Sequence, residues 1–362
     1  MNTNSLIASL NLWFAKTQFG TSSRIEFYET LALMLENRVL VAEALSEMCA
    51  VASRNGKNMN QPMAIIMNDC LESINQGASL ADALGPWVDS NEVGVLAAGE
   101  RSGDLSRAVY DVIALLKAQQ RIMAAVVGAS MYPLVLLAML AMLLHIVATS
   151  LVPKLSSVSK PETWEGPAYL LYLISNFVNS YGTTVVVSLV MTVVLIWISL
   201  PRLGGGIRVA LDGVPPWSIY RDIHGAIFML NVSLLIGSGL MLQQALELLR
   251  DRAASSWLRV RVEATLERIA AGRDLGQALE DSNLNFPSAR AISYLKLFSK
   301  RSGFDASMSN FAKKWLDKTI DGVQGASKIF LLATIILMGG MLTLVVGAVS
   351  SIESAIEQST VQ

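Results

Sequence analysis

Three stretches of this chain lack Asp, Glu, Lys and Arg over lengths that suit lipid better than a water-soluble core: residues 126–152, 183–200 and 329–352, of 27, 18 and 24 residues. As α-helices they would be roughly 40, 27 and 36 Å long, against a hydrocarbon core of about 30 Å. Inside lipid the backbone must satisfy its own hydrogen bonds, so such segments are helical. All three suffice to cross, the first and third with tilt or an interfacial end. Charged residues make up only 16% of the chain, where a soluble domain carries about 25%. Residues 1–20 lack the basic start and cleavage site of a signal peptide, so none is expected.

Outside these stretches the chain repeats itself. Residues 27–45 and 228–246 align apolar position on apolar position and both end in Ala-Leu. NQGASLADAL (75–84) answers AAGRDLGQAL (270–279), and ERSGDL (100–105) answers KRSGFD (300–305). The offsets are 201, 195 and 200 residues. Three ordered matches at a nearly constant offset indicate an internal duplication. Residues 1–124 carry 9 basic and 13 acidic groups, and residues 201–328 carry 17 and 12. The copies therefore face different partners, or each other. Neither is basic enough for nucleic acid. Cys49 and Cys70 fall in no metal-like cluster and read as reduced, buried thiols.

Basic residues set the orientation. Lys117 and Arg121 precede the first span, Arg202 and Arg208 follow the second, and Lys313, Lys314, Lys318 and Lys328 precede the third. Positive charge marks the cytoplasmic side. The expected plan is an all-α membrane protein. It has an amphipathic N-terminal helix (1–21), cytoplasmic module one (22–124), span one (125–152) and an outer loop with an interfacial helix (153–182). Span two (183–200), cytoplasmic module two (201–328), span three (329–352) and an outer tail (353–362) follow. The N-terminal stripe of Leu6, Leu10, Trp13 and Phe14 lies on the inner leaflet or packs on protein.

Each module reads as an antiparallel helix bundle. In module one, Ser23 and Glu26 have capping-box spacing. Further helices are expected over 41–52, from Pro62 to a stop at Gly77, behind Ser79, and over 92–98. Module two repeats the plan near 218–236, 241–252, 257–271, 274–281 and 288–299. A long helix leaves each module and runs into a span.

Two groups of residues stand out. The turn of Gly99, Glu100, Arg101, Gly103 and Asp104, with Arg301 and Gly303 in the second copy, sits at the root of a long helix. Glycines permit positive φ or close approach, and acids favour a helix N-terminus. The turn either fixes the angle of the exit helix or meets a partner, and the two roles are compatible. In the membrane, Pro133 is placed to kink span one. His145 is the one titratable group within a span and reads as a helix–helix hydrogen bond rather than a proton relay. Gly339, Gly340, Thr343 and Gly347 share a face of span three that permits close packing, within the chain, with another copy or with a membrane partner.

No catalytic, cofactor or metal constellation appears. Gly56-Lys57 lacks the upstream glycine of a phosphate loop, and two histidines do not make a histidine metal site. Ser157 and Lys160 have Ser-x-x-Lys spacing, a pattern too short to signify. The chain is expected to be no enzyme and to bind no cofactor.

The ordered motifs are Gly77-x-Ser-Leu-x-x-Ala-Leu84, Gly99-Glu-x-Ser-Gly-x-Leu105, Tyr132-Pro133 opening a span and Val152-Pro153 closing it. With the duplication and three spans, they resemble the type II secretion F / type IV pilus platform family over about residues 22–352. The short outer loop is similar to its type IVb and conjugative thin-pilus branch. The resemblance implies an inner-membrane platform that couples a cytoplasmic hexameric ATPase to insertion of pilin subunits into the fibre. It also implies contacts with other inner-membrane pilus proteins, lipid and a second copy of the chain. A secretion pseudopilus platform, or a membrane transporter, is the alternative. Module two departs from the motif, with Ser299-Lys300 where module one has Gly99-Glu100.

Overall fold

The computed structural model describes residues 14–253, 255–299 and 304–360, and these are helical and turn structure with no strand among them. The helices of module one are α1 (Thr21–Glu36), α2 (Val41–Ala52), α3 (Pro62–Asn75), α4 (Leu80–Leu84) and α5 (Ser90–Ser102). The exit helix α6 spans Leu105–Ile146, passes through a π-turn at Val147–Leu151, and continues as α7 (Val152–Val158). Then come α8 (Pro167–Arg202) and the short α9 (Gly205–Leu211). Module two has α10 (Trp217–Gly237), α11 (Leu242–Asp251), α12 (Ser256–Ala270), α13 (Leu275–Asp281) and α14 (Ala289–Phe298), and α15 (Phe304–Thr360) leaves it.

The chain divides into two compact units. The first joins residues 1–123 and 200–320, so both copies of the duplicated module lie in it. The second joins residues 124–199 and 321–362. In the first unit the copies face one another: α5 of module one packs on α10 and α11 of module two. Within each module, neighbours in sequence pack as neighbours in space, as short connections dictate. The cores are Phe27, Tyr28, Leu31 and Leu45 in module one and Phe228, Met229, Leu246 and Trp257 in module two, all at most 2% exposed.

Local chemistry explains most boundaries. Pro62 opens α3 because its missing N–H is one a helix start leaves unbonded anyway. Ser79 Oγ accepts the Asp82 N–H at the start of α4. The Ser23/Glu26 capping box does not form. The helix starts three residues earlier, with Gly20 as its N-cap, so Ser23 already lies inside the first turn. Gly204–Gly206 opens α9, with Gly204 as its N-cap and Gly205 at φ +79°. Both cysteines are buried and free, and burial pushes the Cys70 thiol up to about 12.

Among the described residues, four helical runs are long and apolar enough to cross a membrane: Leu105–Ser157, Pro167–Arg202, Trp217–Gly237 and Ser307–Glu353. The third differs from the others. Its most apolar window is 56% buried inside the protein, against 17%, 0% and 11% for the rest, so α10 is apolar because it is core. The interfacial helix expected within 153–182 and the span expected over 183–200 are one continuous helix, α8. Gly182 between them costs a helix only about 1 kcal/mol, too little to break a long apolar run.

In the second unit, Ser327, Thr334, Met341 and Ala348 of α15 recur every seven residues, and the last three are at most 8% exposed. That is the repeat of a helix–helix seam. Met341 and Ala348 meet Val147, Val152, Trp164, Ala168 and Leu171 in one apolar cluster. Trp164 comes from the loop between α7 and α8, its ring edge-on to Tyr172 and its Nε1 donating to Ser159 Oγ.

Candidate functional site

The turn singled out in the sequence is built by interactions internal to module one. Gly99 lies where α5 crosses the first turn of α6: an added Cβ would stand 2.1 Å from Ala108 Cβ, so no larger residue fits without movement. Gly103 closes α5 in the left-handed region at φ +75°, as a C-terminal glycine does. Asp104 Oδ1 accepts the Arg107 N–H and caps α6. Glu100 points the other way. Its Oε1 accepts the backbone N–H groups of Leu80 at 2.6 Å and Ala81 at 3.4 Å. It thus satisfies two free donors at the start of α4, where the helix dipole also favours an anion. Arg101 is exposed, and its Nε donates to the Ala97 carbonyl.

In module two, Ser299 Oγ accepts the Gly276 N–H at 3.1 Å. The serine therefore does for α13 what Glu100 does for α4, and the cap survives the change of residue type. Arg301 and Gly303 lie outside the described residues.

Two charged clusters that sequence reasoning missed fasten the ends of these elements. In module one, Arg24 on α1 pairs with Glu92 at 2.5 Å and Asp89 at 3.2 Å at the start of α5. Glu92 is 1% exposed. Burial pushes its carboxyl up to about 7, with Arg24 opposing and Asp89 assisting the rise. In module two, Asp212 is fully buried between Arg208 at 2.7 Å and Arg261 at 2.5 Å. The Arg261 guanidinium lies 4.1 Å from the Trp257 ring centre, a cation–π contact. Burial pulls Arg261 down to about 10, while Asp212 holds it up. Arg208 had read as a surface charge beside the second span. It is instead inside the protein, and its Nη2 donates to the Leu200 carbonyl at 3.4 Å. Ser256 Oγ donates to the Pro201 carbonyl at 3.3 Å. The C-terminal end of α8 is thereby tied into module two.

In the second unit, prolines create the contacts between helices. Pro133 has no N–H to give the Ala129 carbonyl four residues back, and that carbonyl accepts Ser327 Oγ from α15. In the π-turn the Val152 N–H reaches Val147 O, five residues back. The next donor in that register is residue 153, a proline, so Ala148 O is released too. It accepts Ser175 Oγ at 3.3 Å and Asn179 Nδ2 at 3.1 Å, both from α8. Each proline of the span motifs thus frees a carbonyl, and another helix takes it. An unsatisfied carbonyl in an apolar surrounding is expensive, so these pairings help determine which helices meet.

The other membrane candidates fare differently. Gly347 packs against Pro167, 3.5 Å from where a Cβ would be. Gly339, Gly340 and Thr343 are exposed, with Thr343 Oγ1 turned back to the Gly339 carbonyl. His145 is exposed, and its side chain makes no hydrogen bond among the described residues; its carbonyl accepts Thr149 Oγ1. The helix–helix bond expected of it falls instead to Ser175, Asn179 and Ser327. The signal for these was present, as polar residues near otherwise charge-free runs, but it has meaning only beside the prolines.

The fold and these contacts define a duplicated all-helical membrane protein whose repeated modules share one folded unit. The chain belongs to the family of type II secretion system protein F, matching it over residues 27–153 and 228–351, one match in each copy of the duplication. It is 22% identical over 270 residues to the toxin coregulated pilus biosynthesis protein E of Vibrio cholerae serotype O1, covering 72% of this chain and 76% of that protein. It is 24% identical over 340 residues to type II secretion system protein F of the same organism, covering 88% and 78%. The corresponding protein F of Aeromonas hydrophila is 24% identical over 290 residues, covering 74% and 69%.

Proposed function

We propose that this protein is the inner-membrane platform of a type IV pilus assembly machine, coupling a cytoplasmic hexameric ATPase to insertion of pilin subunits into the fibre. The observation that carries the proposal is the pair of unbroken exit helices. Residues Leu105–Ile146 and Phe304–Thr360 each run as one helix from the folded modules into a charge-free stretch. Between module and span neither helix contains a proline, and there a helix whose hydrogen bonds are internal carries displacement along its axis. The chain has no phosphate loop of its own, so the energy comes from another polypeptide. Basic residues on the module side of each span support a cytoplasmic position for both modules and an outer position for the C-terminus. Likeness to the pilus biosynthesis protein and the short outer loop favour a pilus; the longer alignment to the secretion protein favours a pseudopilus.

The test has three arms. Cysteines at exposed Leu40 and Val260 should react with an impermeant maleimide only after the inner membrane is opened. Detergent-solubilised protein should retain a pilus-type ATPase. Deletion should abolish the surface fibre while leaving secretion intact. Labelling that places the modules on opposite faces refutes the topology. A fibre that assembles without the protein refutes the function, and loss of secretion alone assigns it to a pseudopilus.

A further inference from the structure

A duplicated fold carries duplicated surfaces, and here two copies of one surface have different fates. In module two, the cleft between α10 and α11 is lined by Asn231, Leu235, Leu248, Leu249 and Arg252, and α5 of module one fills it, leaving about 10 Å³. Counted back 201 residues, those five positions are Thr30, Met34, Glu47, Met48 and Val51. All five line an open groove of about 440 Å³ in module one.

The same repetition names what fills it. The counterpart of α5 is α14. Their N-caps, Asp89 and Ser288, and the residues that cap α4 and α13, Glu100 and Ser299, both set the offset at 199 residues. Burial agrees: Glu92, Val93 and Leu96 are buried, and so are Ala291, Ile292 and Leu295. At this offset Asn91, Gly94 and Val95, which fill the module-two cleft, become Arg290, Ser293 and Tyr294. All three are exposed, and Leu297 one turn on is 63% exposed. The groove and the helix face that matches it are both exposed within one chain, the Tyr294 ring touching only Phe311 at 5.9 Å among the described aromatic rings, so a meeting of the two is between chains. We propose that the α1/α2 groove receives α14 of a second copy of this protein, repeating between chains the contact that joins the two modules within one.

The chemistry fits residue by residue. Inside the chain, Gly94 comes so near that an added Cβ would lie 3.2 Å from Leu248 Cδ2, and the matching Ser293 is also small. Inside the chain the cation sits on the groove, where Arg252 Nη1 donates to the Ser90 carbonyl at 3.4 Å. Between chains the arrangement is reversed. Glu47 replaces Leu248 and Glu26 stands beside it in the groove, neither paired with a cation among the described residues. The cation is Arg290, on the helix. Tyr294 is larger than Val95, and the open groove of about 440 Å³ admits it. Its lining includes Met34, Met48, Met63 and Met67, and methionine adapts to an aromatic ring. The acidic module thus meets the basic one, which steers association. The contact is heterologous, groove to helix. This assignment goes beyond the platform reading and does not depend on it.

The test uses the full chain in membranes with Cys49→Ala and Cys70→Ala. Two differently tagged forms are co-expressed, one carrying Val51→Cys and the other Tyr294→Cys. Oxidation should give a disulfide joining the two tags. A control chain with Gly94→Cys and Leu248→Cys, where an added Cβ at 94 lies 3.6 Å from Leu248 Cγ, should close internally, which reports that the modules are folded. Glu47→Arg or Arg290→Glu should each lower the inter-tag product at least about tenfold, and the two together should restore it. The proposal is overturned by absence of an inter-tag product while the control closes. Capture of a different polypeptide by Val51→Cys, or charge reversals that have no effect or are not mutually rescued in a folded chain, also overturns it.

Discussion

Removing Ser175 and Asn179 tests whether a proline-freed carbonyl holds α8 to the first membrane helix. Ala148 O has two donors, at 3.3 and 3.1 Å, and Ala148 is 0% exposed. Taking away one leaves the other, so Ser175→Ala or Asn179→Ala alone should cost about 0.5 kcal/mol, near the mean for side-chain bonds between membrane helices. Taking away both leaves a buried carbonyl with no partner, which costs about 1–3 kcal/mol. The double variant should therefore lose clearly more than the sum of the singles. Pro153→Ala supplies the missing N–H. In that background the same double change should cost about 0.5 kcal/mol or less beyond its loss of packing. Stability is read by titrating the detergent-solubilised protein with SDS and following helicity. The explanation fails if the singles add up to the double, or if Pro153→Ala leaves the double as costly as before.

Other outcomes follow from the same contacts. Ser327→Ala should destabilise the second unit by about 1 kcal/mol, and Pro133→Ala should erase that cost by giving Ala129 O a backbone donor; additivity in the same titration would contradict this. Gly99→Ala should cost about 1–3 kcal/mol through its overlap with Ala108, and Ala108→Gly should recover most of it in urea melts of the first unit. Glu100→Gln keeps an oxygen on the α4 donors, whereas Glu100→Ala does not, so only the alanine should lower stability, by about 1 kcal/mol. If both variants lose ATPase co-purification, the charge itself meets the partner. Glu92 titrates near 7 when folded and near 4.5 in its ordinary state. Its stabilising contribution is full below about 4.5 and is lost as pH rises through about 7, on the order of 3 kcal/mol. Glu92→Gln should flatten urea stability across that window; an unchanged slope would rule the carboxyl out as its source.

The helices were legible because their signals are local. Pro62, Gly77 and Ser79 mark boundaries by what their own backbones and hydroxyls do, and 41–52 was read to the residue. Ser23 misled because a capping box needs a helix that starts there, and Gly20 starts it sooner. The turn at Gly99–Asp104 was recognised as a turn. That Glu100 reaches back twenty residues to the α4 donors was not, since nothing in the spacing points to the Leu80 N–H. Arg208 shows the same gap: as a letter after a span it is a positive charge, and only the fold puts it beside Asp212.

The sequence by itself determined that this chain is helical, duplicated and built to enter lipid, because periodicity, charge-free length and repetition are properties of the one-dimensional string. Only tertiary structure decided that the copies share one folded unit, that α10 is core rather than span, and that two prolines hand their carbonyls to other helices. Those outcomes depend on which surfaces meet. Contact between residues such as Ala129 and Ser327, some two hundred positions apart, leaves no local pattern to read.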